Sequence, residues 1–130
     1  MDERIESLYQ KIADVLYDNI PDDFQKAWIY VEMQEDFGST GVYYQSADDQ
    51  YYYAMPHDAL FDLFNEMWLE YKNIGKQPWT SATFMIDQQG KFSIDFGYEN
   101  IFTDGSTRSD RKTVWIRRYL GDVDLIYPQM

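Results

Sequence analysis

Only a few residues of this chain have the types and spacing that chemistry needs. His57 is the only histidine, and Asp58 follows it directly. Neighbours in sequence rarely form an orienting pair, and no nucleophile stands in a recognisable motif. A histidine at the start of a helix is more simply a surface residue. Asp48 and Asp49 are adjacent carboxylates that could touch a cation, although a solvated turn explains them equally well. There is no glycine-rich phosphate loop after a strand, no His-Glu-x-x-His and no calcium loop. Asp95 and Glu99 are carboxylates on or just past a strand, and acid–base work would need them held in a cleft. Arg108, Arg111, Lys112, Arg117 and Arg118 crowd into one segment. Arg111 and Trp115 are four apart, so they can stack along a helix. Pairing within the molecule explains this basic segment more simply than nucleic-acid contact, because the rest of the chain is acidic.

The elements that must position these residues centre on Trp79 to Tyr98. Both flanks of this stretch alternate with period two, which sends successive side chains to opposite faces of a strand. Gln88, Gln89 and Gly90 form a three-residue loop, with Gly90 free to take a positive φ. The loop sets a register that places Asp87 opposite Lys91, Ile86 opposite Phe92, Phe84 opposite Ile94 and Ala82 opposite Phe96. Each of the last three pairs is apolar. The other face pairs Met85 with Ser93, Thr83 with Asp95 and Ser81 with Gly97. One face is therefore core, and the other is solvent or a binding surface.

Along the chain, Arg4 to Ile20 has helical spacing of Ile5, Leu8, Ile12 and Leu16, and Pro21 stops it. Phe24 to Gln34 reads as a strand in which Trp28, Tyr30 and Glu32 alternate with Ile29, Val31 and Met33. Glu35 to Gly41 reads as a turn with two glycines. Val42 to Ser46 and Tyr51 to Met55 read as strands around an Ala47–Gln50 turn. Pro56 opens a long helix with the stripe Leu60, Phe64, Met67 and Trp68, capped near Gly75. A last helix runs from about Ser109 to Leu120, capped by Gly121, and docks through Trp115, Ile116, Tyr119 and Leu120. The tail beyond it has no clear pattern.

The predicted fold is α+β, a five-stranded antiparallel sheet with helices on its core face, in the order α-β-β-β-α-β-β-α. The 130 residues suit one domain spanning the whole chain. Phe84, Ile94 and Phe96 are the expected core, covered by Leu8, Ile12, Phe64 and Trp68.

A net charge of −12 argues against a generic nucleic-acid or anionic-membrane binder. It suits either plain solubility or a strongly basic protein partner. Cysteine is absent, no apolar run is long enough to span a membrane, and the start Met-Asp-Glu-Arg lacks a signal pattern. A cytoplasmic protein without cofactors is expected. Twelve tyrosines are many for this length, and Tyr43, Tyr44, Tyr51, Tyr52 and Tyr53 fall within eleven positions. The core does not obviously require all of them, and tyrosine suits interfaces.

Several blocks resemble a known family. Pro78-Trp79-Thr80-Ser81, Phe84, Gly90-Lys91-Phe92 and Asp95-Phe96-Gly97-Tyr98-Glu99 resemble the hairpin block of the YezG-like immunity proteins. Leu8-Tyr9-Gln10-Lys11-Ile12-Ala13, then Ile20-Pro21 before an aromatic strand, are similar to that family's start. So is the Tyr-rich hairpin leading into Met55-Pro56 and the long helix. The resemblance runs from the first helix to the end of the fifth strand. It implies an antitoxin, a non-enzymatic inhibitor made beside a secreted or contact-delivered bacterial toxin. Such a protein binds the toxin's C-terminal domain, often a nuclease, in the cytosol. On that reading the toxin-facing surface is acidic and aromatic. It comprises Asp48, Asp49, Tyr51 and Tyr53 on one hairpin and Asp95 and Glu99 on another, where carboxylates and tyrosines coincide outside the core. An acidic adaptor for another basic protein, or a small enzyme using His57 with Asp95 or Glu99, are the competing classes.

Overall fold

The computed structural model describes residues 3–35 and 37–128. Asp36, which falls in the expected Glu35–Gly41 turn, and Met1 and Asp2 of the chain start lie outside the described residues. Three helices and six strands follow in the order α1 (Glu3–Asn19), β1 (Lys26–Gln34), β2 (Phe37–Gln45), β3 (Tyr51–Ala54), α2 (Asp58–Asn73), β4 (Ser81–Asp87), β5 (Phe92–Gly97), α3 (Arg108–Tyr119) and β6 (Leu125–Ile126). The strands form one sheet in the order β5-β4-β1-β2-β3-β6.

The central hairpin has the expected register. Ile86 pairs with Phe92, Phe84 with Ile94 and Ala82 with Phe96. Gly90 takes φ +85°, and the Asp87 carboxylate accepts from the Gln89 and Lys91 amides. Gly75 and Gly121, past the ends of α2 and α3, also have positive φ, which satisfies the helix C-termini without Cβ strain. Thr107 caps α3 by accepting from the Asp110 amide at 3.0 Å.

The sheet departs from a five-stranded antiparallel one. β6 adds a sixth strand and runs parallel to β3, pairing Tyr51 with Leu125 and Tyr52 with Ile126. Two residues are too few to display a period-two pattern. β2 also begins earlier than expected, at Phe37, so Gly38 and Gly41 are strand residues and not turn residues. A Cβ on Gly38 would collide with the Glu32 carbonyl, and one on Gly41 would press on the Tyr43 ring at 3.1 Å. These glycines permit close approach, which a sequence reader takes for a turn.

The helices divide between the two faces, where all were expected on one. α1 and α2 cover a core of Ala27, Ile29, Val31, Met33, Val42, Ala82, Phe84 and Ile86 with Leu8, Ile12, Leu16, Phe64, Met67 and Trp68. Phe84, Leu8, Ile12, Phe64 and Trp68 are buried, as anticipated. Ile94 and Phe96 pack against this core but are only partly buried, and Phe92 stays 45% exposed, because β5 is an edge strand. α3 lies on the opposite face. Its Trp115 and Leu120 join Trp28 and Tyr43 in a second cluster, with Tyr30, Tyr51, Tyr53, Met85, Ile116 and Tyr119 at its margin. That face is a second packed layer at its centre, with a cleft toward β5.

Candidate functional site

Three strand positions, Tyr30, Glu32 and Thr83, and two helix positions, Arg111 and Trp115, organise the second face. On β1, Tyr30 and Glu32 point the same way because they are two apart. The Tyr30 hydroxyl donates to Glu32 Oε2 at 2.6 Å. From α3, Arg111 donates through Nε to Glu32 Oε2 at 2.6 Å and through Nη2 to Oε1 at 2.9 Å. The third donor face of the guanidinium is used as well. Nη1 donates to the carbonyls of Ile101 (3.1 Å) and Ser106 (2.8 Å). Arg111 thus ties the sheet, α3 and the connecting loop together. The Glu32 side chain is only 3% exposed, so its charge depends on this partner.

Trp115, one turn along α3, stacks on Tyr30 with centroids 5.0 Å apart and planes 16° apart. Its Nε1 donates to Thr83 Oγ1 at 2.8 Å, which satisfies both buried groups. The Arg111–Trp115 stacking that their spacing permits gives way to other contacts. Arg111 goes to Glu32, and Trp115 turns to the strand tyrosines. The expectation of intramolecular pairing for the basic helix holds at Arg111. Lys112 sits over the Tyr53 and Tyr127 rings, and Arg118 over Tyr119. Burial, and then the bond to Glu32, raises the Tyr30 phenol pKa well above its usual value. The bond to Glu32 likewise raises that of Arg111. Both effects keep the donors protonated.

Between α3 and the β4–β5 hairpin the second face opens into a cleft of about 420 Å3. Asp95, Glu99, Asp104 and Asp110 line it with Arg111 and Arg118, beside Val114 and Tyr119. The Tyr119 hydroxyl donates to Asp95 Oδ2 at 3.0 Å. Ser106 donates to Asp104 from its amide and hydroxyl, which holds the Asp104 carboxyl below its usual pKa. Two of the anticipated contact residues, Asp95 and Glu99, therefore share one recess.

The other four sit elsewhere. Asp48 and Asp49 occupy the β2–β3 turn, at the end of the sheet where β1 begins. Asp48 accepts from the Gln50 amide at 2.9 Å and the Tyr52 hydroxyl at 2.8 Å. Asp49 accepts from Gln25 Nε2 and takes φ +65°, a conformation that aspartate tolerates in turns. Tyr51 and Tyr53 lean on the second cluster, near Trp28 and Tyr43 respectively. The turn lies across the sheet from Glu99, which follows the far end of β5. The six residues form two separate groups.

His57 stands exposed at the N-terminus of α2, where its backbone amide donates to Asn19 Oδ1. That is the α1–α2 side of the sheet, whereas Asp95 and Glu99 line the α3 side, so the structure does not bring them together. Among the described residues no three His, Asp or Glu side chains converge as a metal-binding group. No helix of the described residues is long and apolar enough to cross a membrane.

Sequence reasoning missed the Glu32–Arg111 pair. The available signal was a lone carboxylate in phase with Trp28 and Tyr30 on an otherwise aromatic strand face, which requires a buried cation.

The chain belongs to the YezG-like immunity protein family, whose model, "Immunity protein YezG-like", matches residues 5–129. The match includes α3 and β6, beyond the fifth strand where the motif-level resemblance ends. Immunity protein YezG of Bacillus spizizenii is 29% identical over 130 residues, covering 88% of this chain and 81% of the relative. Immunity protein YezG of Bacillus subtilis is 28% identical, covering 90% and 88%. The type VII secretion system protein EsaG of Staphylococcus aureus is 25% identical, covering 75% and 69%.

Proposed function

We propose that this protein is a cytoplasmic, non-enzymatic inhibitor that binds the C-terminal domain of a secreted or contact-delivered toxin, and that this domain is a nuclease. The observation that carries the reading is the cleft between α3 and β5. It gathers Asp95, Glu99, Asp104 and Asp110 around two arginines, Arg111 and Arg118, the first of which is already paired with Glu32. A nuclease holds phosphates in a basic cleft, and an acidic surface complements it and speeds encounter. The net charge of −12 supports the same partner.

Asp95 and Glu99 are the primary contacts in this reading. Asp48, Asp49, Tyr51 and Tyr53 form a second contact zone only for a toxin domain wide enough to reach across the sheet. The test is co-expression with the C-terminal domain encoded in the adjacent reading frame. Wild-type chain should restore growth, and Asp95→Lys with Glu99→Lys should not. Failure of the wild-type chain to bind that domain or to restore growth overturns the proposal.

A further inference from the structure

The two edges of the sheet are finished differently. At one, β3 is followed by the two-residue strand β6. β5 pairs with β4 alone, and its outer side meets no other strand among the described residues. Exposed edges are ordinarily blunted by proline, lysine or a bulge. β5, Phe-Ser-Ile-Asp-Phe-Gly, contains no proline or lysine, has Asp95 as its one charge, and keeps unbroken register with β4 through six pairs.

The ladder alternation tells which backbone groups are free. Asp87 N donates to Lys91 O, and Thr80 N to Gly97 O, so odd-numbered residues of β5 turn their backbone groups toward β4. Phe92, Ile94 and Phe96 turn theirs outward. The side chains are sorted as well. Ser93, Asp95 and Gly97 face the α3 side, where Asp95 and Gly97 line the cleft with Glu99 beyond. Phe92, Ile94 and Phe96 face the α1–α2 side, where Phe92 is 45% exposed and Tyr98, just past the strand, 47%.

We propose that the free edge of β5 is where the partner toxin docks, by adding an extended segment of its own as a seventh strand. This rests on the toxin-binding reading above. That segment alternates basic and apolar residues. Its basic side chains lie beside Asp95 and Glu99 in the cleft, and its apolar ones cover Phe92 and Tyr98. Cross-strand neighbours stand about 5 Å apart, close enough for both sets of contacts. Backbone bonds would supply affinity and the alternating side chains selectivity. A second copy of the chain is a poor occupant, since antiparallel pairing of β5 with itself brings Asp95 within diagonal reach of its counterpart.

Amide exchange on 15N-labelled chain, free and bound to the unlabelled C-terminal domain from the adjacent reading frame, tests the docking mode. The amides of Ile94 and Phe96 should slow by at least about tenfold on binding, as hydrogen-bonded amides do. Those of Ser93 and Asp95, already bonded to β4, should change less. Ile94→Pro removes one outward donor without touching the β4 ladder and should weaken binding by about tenfold or more. Ile94→Val should bind like wild type. A complex that forms and protects cells while the Ile94 and Phe96 amides exchange unchanged overturns the strand-addition mode and leaves the toxin-binding reading standing. Slowing in the free chain with rising concentration would identify a second copy as the occupant and overturn it too. Absence of any complex removes both readings.

Discussion

Glu32 and Arg111 are 79 positions apart in the chain and meet as a bidentate pair, with N–O distances of 2.6 and 2.9 Å. Their contact joins β1 to α3. Breaking it from one side leaves an uncompensated buried charge. Arg111→Met is therefore expected to cost about 3–5 kcal/mol. The double change Glu32→Met with Arg111→Met removes both charges and should cost less than the sum of the single changes. Urea unfolding of the four proteins in a double-mutant cycle checks this, and simple additivity would show that the pair is uncoupled.

Phe84 and Phe92 test the layering of the hairpin. They stack 5.4 Å apart on the same face, yet Phe84 is fully buried and Phe92 lies half-exposed at the edge. Phe84→Ala should lose about 3–5 kcal/mol. Phe92→Ala should lose clearly less, because its surroundings are already partly solvated. Equal losses in chemical denaturation would contradict the placement of β5 at the edge.

Alkaline pH should destabilise the fold through buried phenols. Burial raises the pKa values of Tyr30, Tyr43 and Tyr9, and hydrogen bonds add to the effect at Tyr30 and Tyr9. A raised folded value means that the contribution is complete below the unfolded pKa of about 10. It is lost as pH climbs from there, because the unfolded chain ionises first. Each phenol contributes at most about 1.4 kcal/mol per pH unit to the decline. Urea midpoints measured from about pH 9 to about pH 11 should fall. The fall should be shallower in Tyr43→Phe, and an unchanged slope in that variant would assign the effect to other groups.

Charge reversal separates the two groups of carboxylates. Asp95→Lys with Glu99→Lys should slow association with a basic toxin domain and flatten its salt dependence. Asp48→Lys with Asp49→Lys should affect stability more than ordinary surface changes, since Asp48 holds Gln50 and Tyr52 and Asp49 has positive φ. A loss of about 1 kcal/mol is expected in thermal unfolding. If only the second pair alters the association rate, the binding surface is the β2–β3 turn.

The hairpin from Trp79 to Tyr98 was legible from its residues because both flanks alternate and Gly90 fixes the loop. The helices were legible because their stripes are long. Which face α3 covers was not, since Trp115 and Leu120 mark an apolar side without marking its partner. Gly38 and Gly41 misled because a glycine that permits close packing looks like a glycine that permits a turn. Asp95 and Glu99 could be placed on the outer face by counting, but the cleft around them depends on Arg111 reaching Glu32, and no local pattern carries that contact.

The sheet divides the four tryptophans evenly. Trp68 and Trp79 lie in the α1–α2 layer, Trp28 and Trp115 in the α3 layer. Indole emission depends on local polarity and on neighbouring quenchers, so the chain holds a separate optical reporter in each layer. With Trp68 and Trp79 exchanged for phenylalanine, the remaining emission would follow the α3 side alone. A departure of that helix during partner capture would then be visible in a stopped-flow trace without any added dye.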